Sequence, residues 1–260
     1  MPTYQTGIGI SNADSITLLG HDVATELLGK ISFGELAFWL ITKKRPTASQ
    51  ILMFEAVLTA LADHGFTPTA IAARLTYTSA PDSLQGALAA GLLGGGSRFL
   101  GVTEDCAVFL SAHIQSLTTL PTTEDEWDVV AKKVMAERKA EGKFVPGLGH
   151  PVHKLKDPRT PVLFSLARQH GSYGNHLSLF EALGRVAPSV LGKALPLNGA
   201  GVCGAVLADI DIPLAAMRGV ALLARCAGLL GHLVEEQENP IGIDVYMSVD
   251  RNIDYQPPPR

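Results

Sequence analysis

Apolar positions recur at three- and four-residue spacing along most of this chain, the period of a helix with one face turned inward. Ile31 to Thr42 carries them on a broad face and stops at Lys43-Lys44-Arg45-Pro46, basic residues and a breaker that suit a helix end. Ile51, Phe54, Val57, Leu58 and Leu61 repeat the spacing behind Ser49, a candidate cap, and run into Ala62-Asp63-His64-Gly65. Two more helices are expected over Thr69 to Ser79 and Ser83 to Leu93, the second rich in small residues from Gly86 to Gly91 and closed by Gly94-Gly95-Gly96. Small side chains let helices approach closely, so that helix is expected deep in the core or at a subunit interface. Thr123-Glu124-Asp125-Glu126 has the form of a capping box opening a helix to about Glu141. Thr160 to His170, His176 to Ala187 and Ile212 to Glu238 complete the series, and no sustained period-two alternation competes with it. The expected fold is all-α. Val190 to Leu207, Gly-rich and broken at Pro196 to Gly201, fits a strand-like crossing and a loop between buried helices equally. With no internal repeat and no long linker, residues 1–260 read as one unit with a smaller helical subdomain around 145–225 and an extended tail over 250–260.

Composition narrows the class. Apolar residues make up 47% of the 260 and charged ones 18%, rich for a monomer and consistent with a large interface in a homodimer or higher homo-oligomer. A net charge of −4 offers no basic field for nucleic acid. Cys106, Cys203 and Cys226 form no metal-ligand spacing, so no metal is expected and a reducing cytoplasm is the economical location. The first twelve residues lack a signal pattern, and the run Val220 to Leu230, interrupted by Arg225, is expected to fall short of a membrane span.

Candidate chemistry concentrates in Gly147-Leu148-Gly149-His150-Pro151-Val152-His153-Lys154-Leu155-Lys156-Asp157-Pro158-Arg159. Glycines let a backbone pass close to a ligand, histidine moves protons near neutral pH, and arginine grips a carboxylate bidentately. An enzyme acting on a small polyacid would use that set; a loop with one ordinary histidine fits the spacing as well. His64 beside Gly65 suits a helix end, Arg98 a solvated loop and Asn198 a turn. Arg225, inside an apolar run, needs a partner: Asp209, Glu235 or a bound carboxylate.

The same long segment resembles the G-x-G-H-x-V-x-K-x-x-D-P-R signature of the citrate synthase superfamily. Ala62-Asp63-His64-Gly65 resembles the turn bearing that family's first substrate-binding histidine, and Ala224-Arg225 through Gly231-His232-Leu233-Val234-Glu235-Glu236 resembles its late A-R-x-x-G-x-x-A-H-x-x-E helix. Lys44-Arg45-Pro46, Ser97-Arg98-Phe99 and Leu197-Asn198-x-x-Gly201-x-x-Gly204 are similar to the citryl-CoA lyase branch, which includes the citrate synthase-like module of ATP-citrate lyase. The likeness covers about residues 15 to 240.

The resemblance implies a short, lyase-type citrate synthase fold. It implies cleavage of citryl-CoA, or a related 3-hydroxy-3-carboxyacyl-CoA, to acetyl-CoA and oxaloacetate. His150, His64 and Arg98 would be catalytic, and His64, His150, Arg159 and Arg225 would surround the ligand, with Asn198 also substrate-binding. The backbone of Pro146, Gly147, Leu148 and Gly149 would lie against the adenine of coenzyme A, here a substrate moiety and not a resident cofactor. Arg98 stands where citrate synthases carry histidine and the lyase branch carries arginine. Asn198-Gly199-Ala200 stands where both branches have Asn-Val-Asp, so the acid that exchanges the acetyl proton is replaced by Ala200. Synthase-type acyl transfer with another acyl-CoA, or binding of coenzyme A and polycarboxylate without turnover, are the alternatives.

Overall fold

The computed structural model describes residues 2–149 and 155–259. It opens with three short antiparallel strands, β1 (Gly9–Ser11), β2 (Ile16–Leu18) and β3 (His21–Asp22), in the order β1-β2-β3 with Ile10 opposite Thr17 and Leu18 opposite His21. Strands of two and three residues are too short to show alternation, which is why the sequence pattern misses them. Asn12 makes the first turn by accepting from the backbone of Asp14 and Ser15, and Leu19-Gly20, both at positive φ, make the second.

Twelve α-helices follow among the described residues. They are α1 (Phe33–Thr42), α2 (Ala48–Leu61), α3 (Pro68–Ser79), α4 (Leu84–Leu93), α5 (Gly96–Leu100), α6 (Val102–Gln115), α7 (Glu124–Ala140), α8 (Arg159–Gln169), α9 (Asn175–Leu191), α10 (Gly199–Asp209), α11 (Met217–Glu238) and α12 (Gly242–Asp250). The all-α expectation holds. Thr123 and Glu126 form the expected capping box at α7. At α2 the cap is Thr47, not Ser49: Thr47 and Gln50 exchange side-chain-to-backbone bonds, while the Ser49 hydroxyl turns to the carbonyl of His170. Helix α9 runs past Pro188 to a left-handed Gly192.

The chain separates into two compact units, one of residues through Val57 with Thr103–Met217, the other of Leu58–Val102 with Arg218 onward. These bounds differ from the 145–225 subdomain suggested by the sequence. In the first unit α9 packs against α7 and α10, and α10 against α8, around Leu110, Trp127, Met135, Phe180, Leu183 and Leu207. In the second, α3, α4 and α11 bury Ala70, Ala73, Ala87, Leu229 and Leu233. Of the small residues of α4, Ala87 and Gly91 are buried and Ala89 is exposed. Helix α11, at 22 residues, does reach the length and apolar content of a membrane span, contrary to the expectation of a shortfall. Its buried positions include Arg225 and Glu236, paired with Asp63 and Arg74, as well as Leu229 and Leu233. Beyond α12, residues 253–259 have no regular structure.

Candidate active site

The stretch left open between strand and loop resolves into a bridge followed by a helix. Leu148 pairs antiparallel with Leu197, the Gly149 N–H donates to Pro196 O at 2.7 Å, and the Asn198 N–H donates to Gly147 O at 2.9 Å. Gly147 and Gly149 both take positive φ, the left-handed region that disfavours side chains. The chain then enters α10, which has Gly199, Gly201 and Gly204 and two valines where a helix usually has better formers. Tertiary caps compensate. The Asn198 side chain accepts from Gly201 N at 2.8 Å and donates through Nδ2 to Gly149 O at 2.8 Å, so the residue is a cap and a clasp together.

Asp157 provides the second cap. It is fully buried and accepts from Gly199 N at 2.7 Å, from Arg159 N at 3.1 Å, and from Arg159 Nε and Nη2 at 3.0 Å and 2.8 Å. Burial alone would raise its pKa. The hydrogen bonds from the Arg159 guanidinium and the two backbone amides outweigh burial and hold the carboxyl well below its ordinary range. Arg159, proposed from sequence as a carboxylate clamp, therefore has an intramolecular carboxylate at one edge of its fork. The guanidinium lies so close over α10 that a Cβ at Gly199 would sit 2.2 Å from Nε. Ala200, half-buried in the first turn of that helix, brings no titratable group to the place.

The second unit carries the other candidates. His64 is half-buried in the turn after α2, and Gly65 there has φ +72°. Arg225 ion-pairs with Asp63, at 3.6 Å from Nη1 to Oδ1. Asp209 caps α9 and bonds His176, and Glu235 pairs with Arg74. Gly228, one turn along α11 from Arg225, permits the contact: a Cβ there would lie 2.0 Å from the Ala62 carbonyl oxygen. Arg98 is exposed in the last turn of α5, not in a loop. His150 lies outside the described residues. Of the four residues expected around one ligand, the structure thus brings Arg225 next to the His64 turn in one unit and places Arg159 on α8 in the other.

A cavity of 450 Å³ opens on the first unit between α8, α9 and the Leu195–Leu197 segment, with Lys156, Arg168 and Arg185 in its wall. Arg168 and Arg185 are paired with Glu181 and Asp128, which balances much of its positive charge. Cys203, buried in α10, has its thiol pushed up to about 12 by loss of solvent, which leaves it unreactive. Among the described residues no group of three histidine, cysteine or acidic side chains is placed to hold a metal.

The sequence matches the family described as citrate synthase, C-terminal domain, over residues 21–243, most of the chain. It belongs to the citrate synthase family. Within that family it is similar in structure to citryl-CoA lyase from Hydrogenobacter thermophilus, with a TM-score of 0.87 and 28% identity, covering 100% of this chain and 97% of that one. The ATP citrate lyase of Methanothrix soehngenii, solved in complex with citrate and coenzyme A, shares the fold at a TM-score of 0.82 and 22% identity, over 100% of this chain and 42% of that one. The citrate synthase of Synechocystis sp. is 26% identical over 241 residues, 88% of this chain and 56% of the relative. The chain therefore spans about half the length of that citrate synthase.

The contacts of Asp157 and Asp63 were not anticipated, though both residues lie in segments that the sequence singles out. The signal was the spacing: an acid two residues before Arg159, and one immediately before His64, each able to orient the group beside it.

Proposed function

We propose that this citrate synthase family member is a carbon–carbon lyase acting on citryl-CoA or a close 3-hydroxy-3-carboxyacyl-CoA. The single observation that carries the proposal is the end-to-end likeness to a citryl-CoA lyase of matching length. Arg98, the residue that the lyase branch carries at this position, agrees with it. In the proposed step His150 takes the proton of the citryl hydroxyl as general base. The C–C bond then breaks, the oxygen becomes the carbonyl of oxaloacetate, and the electron pair passes to the enolate of acetyl-CoA, whose carbon takes a proton from water because Ala200 offers none. Arg98 stabilises that enolate, while His64, Arg159, Arg225 and Asn198 hold the polycarboxylate. The backbone of Pro146 to Gly149 supports the adenine of coenzyme A. Asp157 orients Arg159 and is too strongly ion-paired to serve as a base. A reducing cytoplasmic setting and a homodimer complete the proposal.

Ala200 favours a second reading, binding of coenzyme A and polycarboxylate without turnover. Loss of a positioned acid–base group costs about 10²- to 10⁴-fold in rate. Oxaloacetate release from citryl-CoA by the purified protein separates the two. Release that disappears in His150→Ala, with coenzyme A binding retained, supports the lyase; tight binding of coenzyme A without any release supports the second reading.

A further inference from the structure

A line of polar side chains beneath the His64 turn is not explained by ligand contact. Arg74 is almost fully buried between α3 and α11, where its Nη1 donates to Glu236 at 2.8 Å and its Nη2 pairs with Glu235. Its Nη2 and Nε also face His232 Nδ1 at 3.0 Å and 3.2 Å. Arginine has only N–H groups to offer, so Nδ1 must accept. The imidazole proton is then on Nε2, and that group donates to Asp63 Oδ1 at 3.0 Å. The other oxygen, Oδ2, accepts from the backbone N–H of Gly65 at 2.7 Å, on the far side of His64. Phe66 closes the assembly, its ring 5.7 Å from the imidazole and 5.1 Å from the Arg74 guanidinium. Glu236 extends the line by accepting from the backbone of Ile241 and Gly242 at the start of α12.

Asp63 is pulled both ways. Burial raises its pKa, and bonds from Gly65, His232 and the His64 backbone more than reverse that, so the turn holds a carboxylate. We infer that His232 is a positioning residue: through Asp63 it sets the conformation of the Asp63–His64–Gly65 turn, and with it the placement of His64 and Arg225 for a polycarboxylate. The ligand named here rests on the function proposed above; the hydrogen-bonded line does not. The charged groups around the imidazole are Arg74, Glu235 and Glu236 on one side and Asp63 and Arg225 on the other. Arg74 dictates one tautomer, and that tautomer gives Asp63 its donor.

The test uses the full-length protein and three readouts: citrate affinity by calorimetry, thermal midpoint, and the His64 ring signal in histidine-labelled NMR spectra. His232→Phe keeps a ring against Phe66 and removes the donor, while His232→Gln restores a donor within reach of Asp63. His232→Phe is expected to weaken citrate binding about tenfold and to shift the His64 signal, with His232→Gln recovering to within about threefold. In a His64→Ala background the same change should have a smaller further effect, the share that acts through Arg225. Should His232→Phe not fold, His232→Asn, whose amide can face Arg74 without reaching Asp63, should show the same loss. A lower thermal midpoint with citrate affinity and the His64 signal unchanged overturns the inference. So does an equal loss in the His64→Ala background. If the parent binds no citrate, the proposed function fails and the His64 signal alone decides: shifted supports the positioning role, unmoved overturns it.

Discussion

Asp157 and Ala200 meet at the first turn of α10 with opposite consequences. Asp157 neutralises Arg159 and caps the helix from a site without solvent. Replacing it with asparagine leaves a half-buried guanidinium without its counter-charge, and about 2–4 kcal/mol of stability should be lost, measurable by denaturant unfolding. The pH dependence follows from the direction of its shift. A carboxylate with a folded pKa below its unfolded value contributes fully above about pH 4, and that contribution is lost as pH falls toward the folded value. Between pH 5 and pH 3 the parent should therefore lose more stability than Asp157→Asn does. Ala200 stands where the resemblance to the family implies an acid that exchanges the acetyl proton. Ala200→Asp places a carboxylate at a helix N-terminus, where the dipole favours it, and should raise acetyl-CoA proton exchange above the parent. An exchange rate no higher than the parent's contradicts the assignment of position 200.

At the scale of elements, α10 and α11 do most to hold candidate residues in place, and each depends on a glycine where another chain passes. Gly228→Ala should put a methyl group into the Ala62 carbonyl, cost about 1–3 kcal/mol, and weaken citrate binding by moving Arg225 away from the His64 turn. Calorimetry and thermal unfolding on the same variant check both parts. The helices α1, α2, α7 to α9 and α11 were legible because large apolar side chains mark their buried faces, whereas α3 and α4 bury small and polar residues, Thr69, Ala70, Ala73 and Arg74 in one and Ala87 and Gly91 in the other. Helix α6 was not: its buried face of Thr103, Cys106, Ala107, Leu110 and Ser111 has helical spacing but only one strongly apolar member. Helix α10 was hidden because its glycines read as a break, while its caps come from Asn198 and from Asp157, more than forty residues earlier. Helix α12 starts on the carboxylate of Glu236, a tertiary cap that no local pattern reveals. At the candidate site, Asp63 as a partner of Arg225 was not legible, because that pairing depends on α11 packing against the chain at Ala62.

For the whole molecule, the apolar content and the exposed side chains of Leu93, Phe144 and Val129 fit a chain that associates. Sedimentation at micromolar concentration should give a dimer or larger, and a monomer contradicts that part of the account. Membership of the citrate synthase family sets the frame, and the lyase direction is the claim that gives the parts their roles. It predicts polycarboxylate held by arginines, proton transfer at His150, and release of a carbonyl product in place of condensation. The most direct measurement is the rate of oxaloacetate formation from citryl-CoA by the unaltered protein, against the rate of citryl-CoA formation from acetyl-CoA and oxaloacetate. Oxaloacetate appearing at a rate proportional to enzyme, and lost in His150→Ala, is the predicted result. No oxaloacetate above the uncatalysed rate, or a rate unaffected by His150→Ala, contradicts the account.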